Sequence, residues 1–419
     1  MLDPNQVRPH FPALARTQDS KPLVYFDGPG GTQVTRSCID AMTDYLTRCN
    51  TNHGGFFITG VESDAIVHSA HEAMADFLNA HDAGEVIFGQ NMTTLTFAIS
   101  RTLGQTFQPG DEIILTTLDH DANYSPWALM ARDRGLTVRV VDIDVSDCTL
   151  KLSDYERYLN SRTRLVAVGY ASNSSGTINP LKKIISLAHA AGARTYIDAV
   201  HYAPHGPIDV QDLDTDFLVC SPYKFFAPHM GALYGRRDLL EALPAYKVRP
   251  ADSRLPYKYE TGTLSHESLS GLLGTMQYLE WLGQTYGDGQ PNAFRSARSS
   301  TLHAAMRAAQ TYETGLKARM LDGLLSLRRV KLYGISDPAR LNERVGTFVI
   351  RVDGMHPDDT ARYLAQRGIC VWSGNYYAMN LSERLGVEDT GGMVRIGLAH
   401  YNTAAEVDRL LADLREIAG

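Results

Sequence analysis

Between residues 85 and 235 short apolar runs alternate with helical patterns, and this alternation is the strongest constraint on the fold. The runs read "EVIFG", "DEIILTT", "TVRVVDID", "TRLVAVGYAS", "RTYIDAV", "DFLVCSP" and "GALYG". Each has strand length and is bounded by turn residues. The segments between them, such as "TTLTFAISRTLGQ", "SPWALMARDRG" and "PLKKIISLAHAAG", carry apolar residues at i, i+3 and i+4, and two of the three end at a glycine suited to a C-cap. Strands joined through helices lie mostly parallel and need helices on both faces, so an α/β fold with a mainly parallel sheet is predicted. In such sheets ligands bind at the carboxyl ends of the strands.

At 419 residues the chain exceeds one ordinary domain. A helical stretch over roughly 264–325 is followed by a different pattern: "RVKLYGI", "VGTFVIRVD", "GICVWSG", "GMVRIGLAHYNT" and a closing helix "AAEVDRLLADLREIAG". Strands first and a helix last suggest a smaller α+β domain. The expected organisation is an N-terminal segment, 1–20, a large domain, 21–290, and a small C-terminal domain, 291–419, with "GDGQPN" as the most linker-like stretch. The net charge of −7, from 40 basic and 47 acidic residues mixed along the chain, provides no basic stripe for nucleic acid and no polybasic membrane anchor. No run approaches a membrane span and the N-terminus has no signal-like apolar core, so a cytoplasmic location is expected. The five cysteines are widely spaced without a C-x-x-C pair, suggesting reduced thiols and neither a disulfide framework nor a zinc site.

Chemistry-bearing residues gather where the strands end. Lys224 follows "DFLVC", and a lysine there is rarely buried unless paired or chemically used. Asp198 closes "RTYID" and needs a partner, although a helix cap would also account for it. His120 ends "TTLDH", Thr93 and Thr94 open a helix whose N–H groups suit an anion, and Asn173 sits in a glycine-containing turn. Each has a plainer reading alone: surface lysine, surface histidine, cap or turn. Together a phosphate on Thr93 and Thr94, an aromatic nitrogen at Asp198, a ring face on His120 and an aldehyde on Lys224 describe pyridoxal 5′-phosphate, which requires a Schiff-base lysine and an acidic partner for its ring nitrogen.

With those residues in view the chain resembles the class V aminotransferase group of fold-type I pyridoxal phosphate enzymes, in particular cysteine desulfurases and selenocysteine lyases, over almost its whole length. "DHDANYSPW" matches the family pattern around a ring-stacking histidine, His120, and "SNSSGTINP" the pattern that includes Asn173. The resemblance implies a seven-stranded, mainly parallel sheet between helices. It also implies that Asp198 holds the pyridinium nitrogen, that His201 contacts the 3′-oxygen and that Lys224 carries the cofactor, with Ser221 and Tyr223 facing the phosphate. Tyr223 stands where the family usually has histidine. "YETGTLSHESL" resembles a segment that reaches the neighbouring subunit's phosphate, which implies a homodimer with composite active sites and a role for Thr263. "GMVRIGLAHYNT" resembles the segment whose arginine, here Arg395, binds the substrate carboxylate, a task suited to a bidentate guanidinium.

One departure bears on the reaction. The family's desulfurases carry a nucleophilic cysteine on a mobile loop shortly before that arginine, whereas here the loop reads "VWSGNYYAMNLSERLGVEDTGG" and places Tyr376 or Tyr377 there. Cys370, in the preceding apolar run, is expected to be buried strand core. The resulting expectation is an enzyme acting on an amino acid, with Lys224 as general base, His120 assisting, Asp198 holding the ring proton, and Arg395, Tyr376 and Tyr377 binding substrate. A carbon–sulfur or other β-elimination lyase without a persulfide cysteine leads. An aminotransferase, a carbon–carbon bond-forming enzyme and a non-catalytic cofactor-binding scaffold are the alternatives.

Overall fold

The computed structural model describes residues 2–289 and 294–418. All seven apolar runs enter one sheet: β1 (Val86–Gly89), β2 (Glu112–Thr116), β3 (Thr137–Val141), β4 (Thr163–Gly169), β5 (Arg194–Asp198), β6 (Phe217–Cys220) and β7 (Gly231–Gly235). Their spatial order is β1-β7-β6-β5-β4-β2-β3. Only β7 runs against its two neighbours; every other paired contact is parallel.

Period-two alternation explains why these runs are almost wholly apolar. Phe88, Ile114, Val166, Val168, Ile197 and Leu218 join the apolar layer on one face, whereas Ile87, Ile113, Leu115, Leu165, Ala167, Tyr196 and Phe217 join the layer on the other. With both faces covered, a polar residue inside a strand would lose its water, so polar chemistry is displaced to the strand ends. Asp198 ends β5, opposite Gly169 of β4 and Val219 of β6.

A second, antiparallel sheet is built from β8 (Val330–Tyr333), β9 (Thr347–Val352), β10 (Trp372–Gly374) and β11 (Met393–Gly397), in the order β8-β9-β11-β10. Leu316, Met320 and Leu324 of the helix Ala297–Leu325 and Val407, Leu410 and Leu414 of the closing helix Ala404–Ala418 bury against Phe348, Ile350, Val394 and Ile396. The expected boundary at 290/291 and the end of "GDGQPN" lie outside the described residues.

The helical stretch over roughly 264–325 consists of two helices, His266–Tyr286 and Ala297–Leu325. The run "GICVWSG" also divides: Ile369–Cys370 pairs in parallel with Val24–Tyr25, and only Trp372–Gly374 joins the second sheet. Cys370 is consequently half-buried rather than sealed in a core, because it lies in a two-stranded pairing. The other four cysteines are buried and all five are free.

Candidate active site

The carboxyl ends of the central strands and the edge of the second sheet enclose a cavity of about 690 Å³, within the range of small-molecule sites. Thr93, His120, Asn173, Asp198, His201, Tyr223, Lys224, Tyr376, Tyr377 and Arg395 all line it.

The motif "DHDANYSPW" positions His120 through its own hydrogen bonds. The Asp119 carboxylate accepts from the Thr116 hydroxyl at 2.5 Å and from Asn123 Nδ2 at 3.1 Å, and Asn123 Oδ1 accepts from Trp127 Nε1 at 3.2 Å. His120 Nδ1 then accepts from the Ala122 N–H at 3.0 Å, so the neutral ring carries its proton on Nε2. Burial, with the positive charges of Lys224 and Arg395, pulls this imidazole down to about 4, and it stays neutral at physiological pH. The Tyr377 ring stacks on it with centroids 5.4 Å apart.

Lys224 ends a single turn, Pro222–Lys224, after β6, and its Nζ donates to the Pro29 carbonyl. Burial first, and repulsion from Arg395 second, lower its pKa to about 7, against the attraction of Asp198 and Asp27. Asp198 is raised to about 6 by burial, partly offset by the Val200 N–H, which donates to its Oδ1 at 2.9 Å, and by Lys224. A cation with an N–H beside Asp198 would favour its ionised form. His201 Nε2 lies 2.9 Å from the Thr347 hydroxyl, and burial drives its pKa well down.

Arg395, on β11, is 5% exposed. Its Nη1 donates to the Asn173 carbonyl at 3.0 Å and its guanidinium lies 4.3 Å from the Tyr376 ring centroid, yet its Nε is buried without a partner. Burial lowers its pKa to about 10, which still leaves it cationic at neutral pH. Asn173 Nδ2 donates to the Tyr376 carbonyl at 2.9 Å, while its Oδ1 is also buried and unpaired. Tyr376 and Tyr377 both have positive φ, 57° and 59°, a conformation that non-glycine residues adopt seldom and that concentrates at functional sites.

Three sequence candidates lie elsewhere. Thr94 is exposed, its hydroxyl donating to the Asn91 carbonyl and its N–H to Asn91 Oδ1 in a helix cap. It lines a separate, smaller cavity together with Thr263. Ser221 is buried and its carbonyl accepts the Lys224 N–H, but its side chain does not line the main cavity.

Sequence reasoning missed Asp27, Asp119 and Glu388. Burial raises Asp27 to about 6, Arg395 and Lys224 lower it, and its Oδ1 is buried and unpaired. The signal available was "YFDGPGGTQ", a carboxylate between an apolar pair and a glycine-rich turn that delivers the Pro29 carbonyl to Lys224.

The family model for aminotransferase class-V matches residues 24–289 and 293–410. The chain belongs to the class V aminotransferase family. It is similar to cysteine desulfurase from Pectobacterium atrosepticum, 33% identical over 98% of this chain and 97% of that protein, and to cysteine desulfurase from Serratia proteamaculans, 32% identical over 98% and 97%. Among solved structures, the apo cysteine desulfurase from Thermococcus onnurineus NA1 superposes with a TM-score of 0.86 at 25% identity, covering 100% of this chain and 98% of that one. The cysteine desulfurase CsdA from Escherichia coli, in an S-sulfonic acid form, gives 0.82 at 26% identity, with coverage of 100% and 98%. As a family member this chain is a pyridoxal 5′-phosphate-dependent enzyme with a fold-type I architecture.

The cavity's donors fit that cofactor. An amine of lowered pKa, a buried carboxylate with one oxygen held by a single N–H, a neutral imidazole face and a threonine at a helix N-terminus supply one partner each for aldehyde, ring nitrogen, ring face and phosphate. The buried, unpaired Asn173 Oδ1 leaves a polar contact for a bound group.

Proposed function

We propose that this enzyme is a carbon–sulfur lyase acting on cysteine or an S-substituted cysteine, releasing sulfur as free sulfide or thiol. The observation that carries the reading is the pairing, in one cavity, of Lys224 at a pKa of about 7 with an Arg395 guanidinium that forms no ion pair among the described residues, beside a loop without a thiol.

Lys224 would hold the cofactor; Asp198, His120, His201, Asn173, Thr93 and Tyr223 would seat it. When bound, the cofactor supplies an electron sink for negative charge at the substrate α-carbon. Arg395 presents a fork to the α-carboxylate, with Tyr376 beneath and the Asn173 carbonyl fixing one arm. Lys224, once displaced from the cofactor by the substrate's amino group, would be free to take the α-proton at Nζ, poised between amine and ammonium near neutral pH. Asp198 holds the proton of the ring nitrogen. His120 remains neutral and keeps a donor at Nε2.

Removal of sulfur to leave alanine would require a thiol to accept it. Cys370 is the cysteine next to the loop, but burial raises its thiol to about 11, leaving little thiolate at neutral pH. Elimination needs no acceptor: cysteine and water give pyruvate, ammonium and hydrogen sulfide, with atoms and charge balanced once the α-proton is passed to the products. Similarity to proteins named cysteine desulfurase supports cysteine-type substrates. Turnover of cysteine with pyruvate as product supports the lyase; a lasting pyridoxamine form marks an aminotransferase.

A homodimer is part of the same reading. Phe56 is fully exposed, Phe57, Ile58 and Val61 beside it are exposed, and Thr263 lines a different cavity from its own chain's Lys224. The five free thiols accord with a reducing compartment such as the cytoplasm. No helix among the described residues is long and apolar enough to cross a membrane.

A further inference from the structure

Two further carboxylates line the main cavity. Glu388 lines it: one carboxylate oxygen accepts from Asn375 Nδ2 at 2.8 Å, and the other, Oε2, is buried and has no partner. Asp358 lines the same cavity, its Oδ1 accepting from the Ser373 hydroxyl at 2.6 Å, and its N–H donates to His356 Nδ1 at 3.2 Å. Neither carboxylate forms an ion pair with a lysine or arginine among the described residues. A buried carboxylate oxygen without a donor is costly and calls for a donor that the chain itself does not supply.

Arg395 and Glu388 line the same cavity from different elements, β11 and the turn Glu388–Thr390. Arg395 pairs with Trp372 across β11 and β10, and Asn375, which donates to Glu388, lies three residues further along the chain, just past the end of β10. Trp372 and Tyr377, 54% and 72% exposed, also line the cavity and offer aromatic faces, which attract cations. Free cysteine has no cationic group beyond its β-carbon.

From these contacts we infer that Glu388 is a specificity-determining residue that selects amino acids carrying a cationic, hydrogen-bond-donating group several bonds beyond the β-carbon. The inference rests on the reading of Arg395 as the α-carboxylate seat. For a lyase of S-substituted cysteines, the favoured substrate then has an ammonium or similar cation on its sulfur substituent.

The test is an absorbance titration of the cofactor-loaded protein with two probes of matched length, S-(2-aminoethyl)-L-cysteine and S-propyl-L-cysteine, and a slightly longer anionic one, S-(2-carboxyethyl)-L-cysteine. The aminoethyl compound binds about tenfold or more tighter than the propyl compound, the size of one charge-assisted hydrogen bond, and the carboxyethyl compound binds weakest. Glu388→Gln brings the aminoethyl-to-propyl ratio towards one. Equal binding of the two by the wild-type protein, or a ratio unchanged in Glu388→Gln, overturns the inference while leaving the Arg395 site intact. If none of the three perturbs the absorbance, the amino-acid site itself is wrong and this inference falls with it. The wild-type ratio decides independently of how well the variant folds.

Discussion

The Arg395 guanidinium lies 4.3 Å from the centroid of the Tyr376 ring, and the same tyrosine's carbonyl accepts from Asn173, whose own carbonyl accepts from Arg395. Loop, turn and strand therefore fix one another at the point where the substrate carboxylate is to be held. No residue of this triangle is a cysteine.

Replacing Arg395 by lysine should damage every amino-acid substrate alike, because an ammonium cannot form two parallel hydrogen bonds to a carboxylate. By analogy with truncated buried charge pairs the loss is about 2–5 kcal/mol, so kcat/KM falls by tens to thousands of times. Cofactor loading, read from absorbance, should be retained, since Lys224 and Asp198 are untouched. Unchanged kcat/KM would remove the carboxylate assignment.

Tyr376→Leu takes away the aromatic face beneath the guanidinium. A cation–π contact of about 0.5–2 kcal/mol predicts a rise in KM of a few-fold to thirty-fold across all substrates. Tyr377→Leu, by contrast, alters an exposed ring that stacks on His120, and should re-rank substrates. Steady-state kinetics on a panel of S-substituted cysteines separates a uniform effect from a re-ranking.

The pH dependence of stability should report Lys224 in the cofactor-free protein. Its pKa falls from 10.5 to about 7 on folding, so between those values the unfolded chain holds a proton that the folded chain has released. Stability therefore rises with pH across that window, and this contribution is lost as pH falls towards 7. Lys224→Met should flatten the rise of Tm between pH 7 and 10 relative to wild type. Parallel Tm curves for the two proteins would show that the lysine is not desolvated.

The seven central strands were legible in sequence because burial on both faces forces each to be a short, nearly unbroken apolar run. Lys224, Asp198 and His120 were legible for the complementary reason: polar residues displaced from such strands collect at their ends. Asp27 was not, since Val24–Tyr25 becomes a strand only by pairing with Ile369–Cys370 from the far end of the chain. That pairing also left Cys370 half-buried, which an isolated reading of "GICVWSG" takes for core. Glu388 gave no local signal, because its meaning depends on Asn375 across the loop. Adjacent Thr93 and Thr94 looked equivalent, yet one side chain lines the main cavity and the other closes a helix cap.

Turnover of cysteine should leave no persulfide on the protein. Intact-mass spectrometry after single turnover is expected to show the unmodified chain, and Cys370→Ser should retain sulfide release. A persulfide on any of the five cysteines, with activity lost on its replacement, would reverse this.

Sedimentation should show a dimer, and mixed dimers of Thr263→Ala and Lys224→Ala chains provide the finer check. If Thr263 serves the neighbouring subunit's site, co-expression of the two variants leaves sites with both defects and sites with neither, restoring part of the activity. A monomer that still binds the cofactor tightly would contradict composite sites.

Borohydride reduction of the cofactor-loaded protein followed by peptide mapping is the most direct test that this cavity is a pyridoxal phosphate site built around one lysine. Among the described residues Lys224 is the one lysine that lines the cavity with Asp198, and its pKa is about 7. The pyridoxyl label is predicted on the peptide containing "SPYKFF", at Lys224, and on no other lysine. Stoichiometric label on a different lysine would contradict the account.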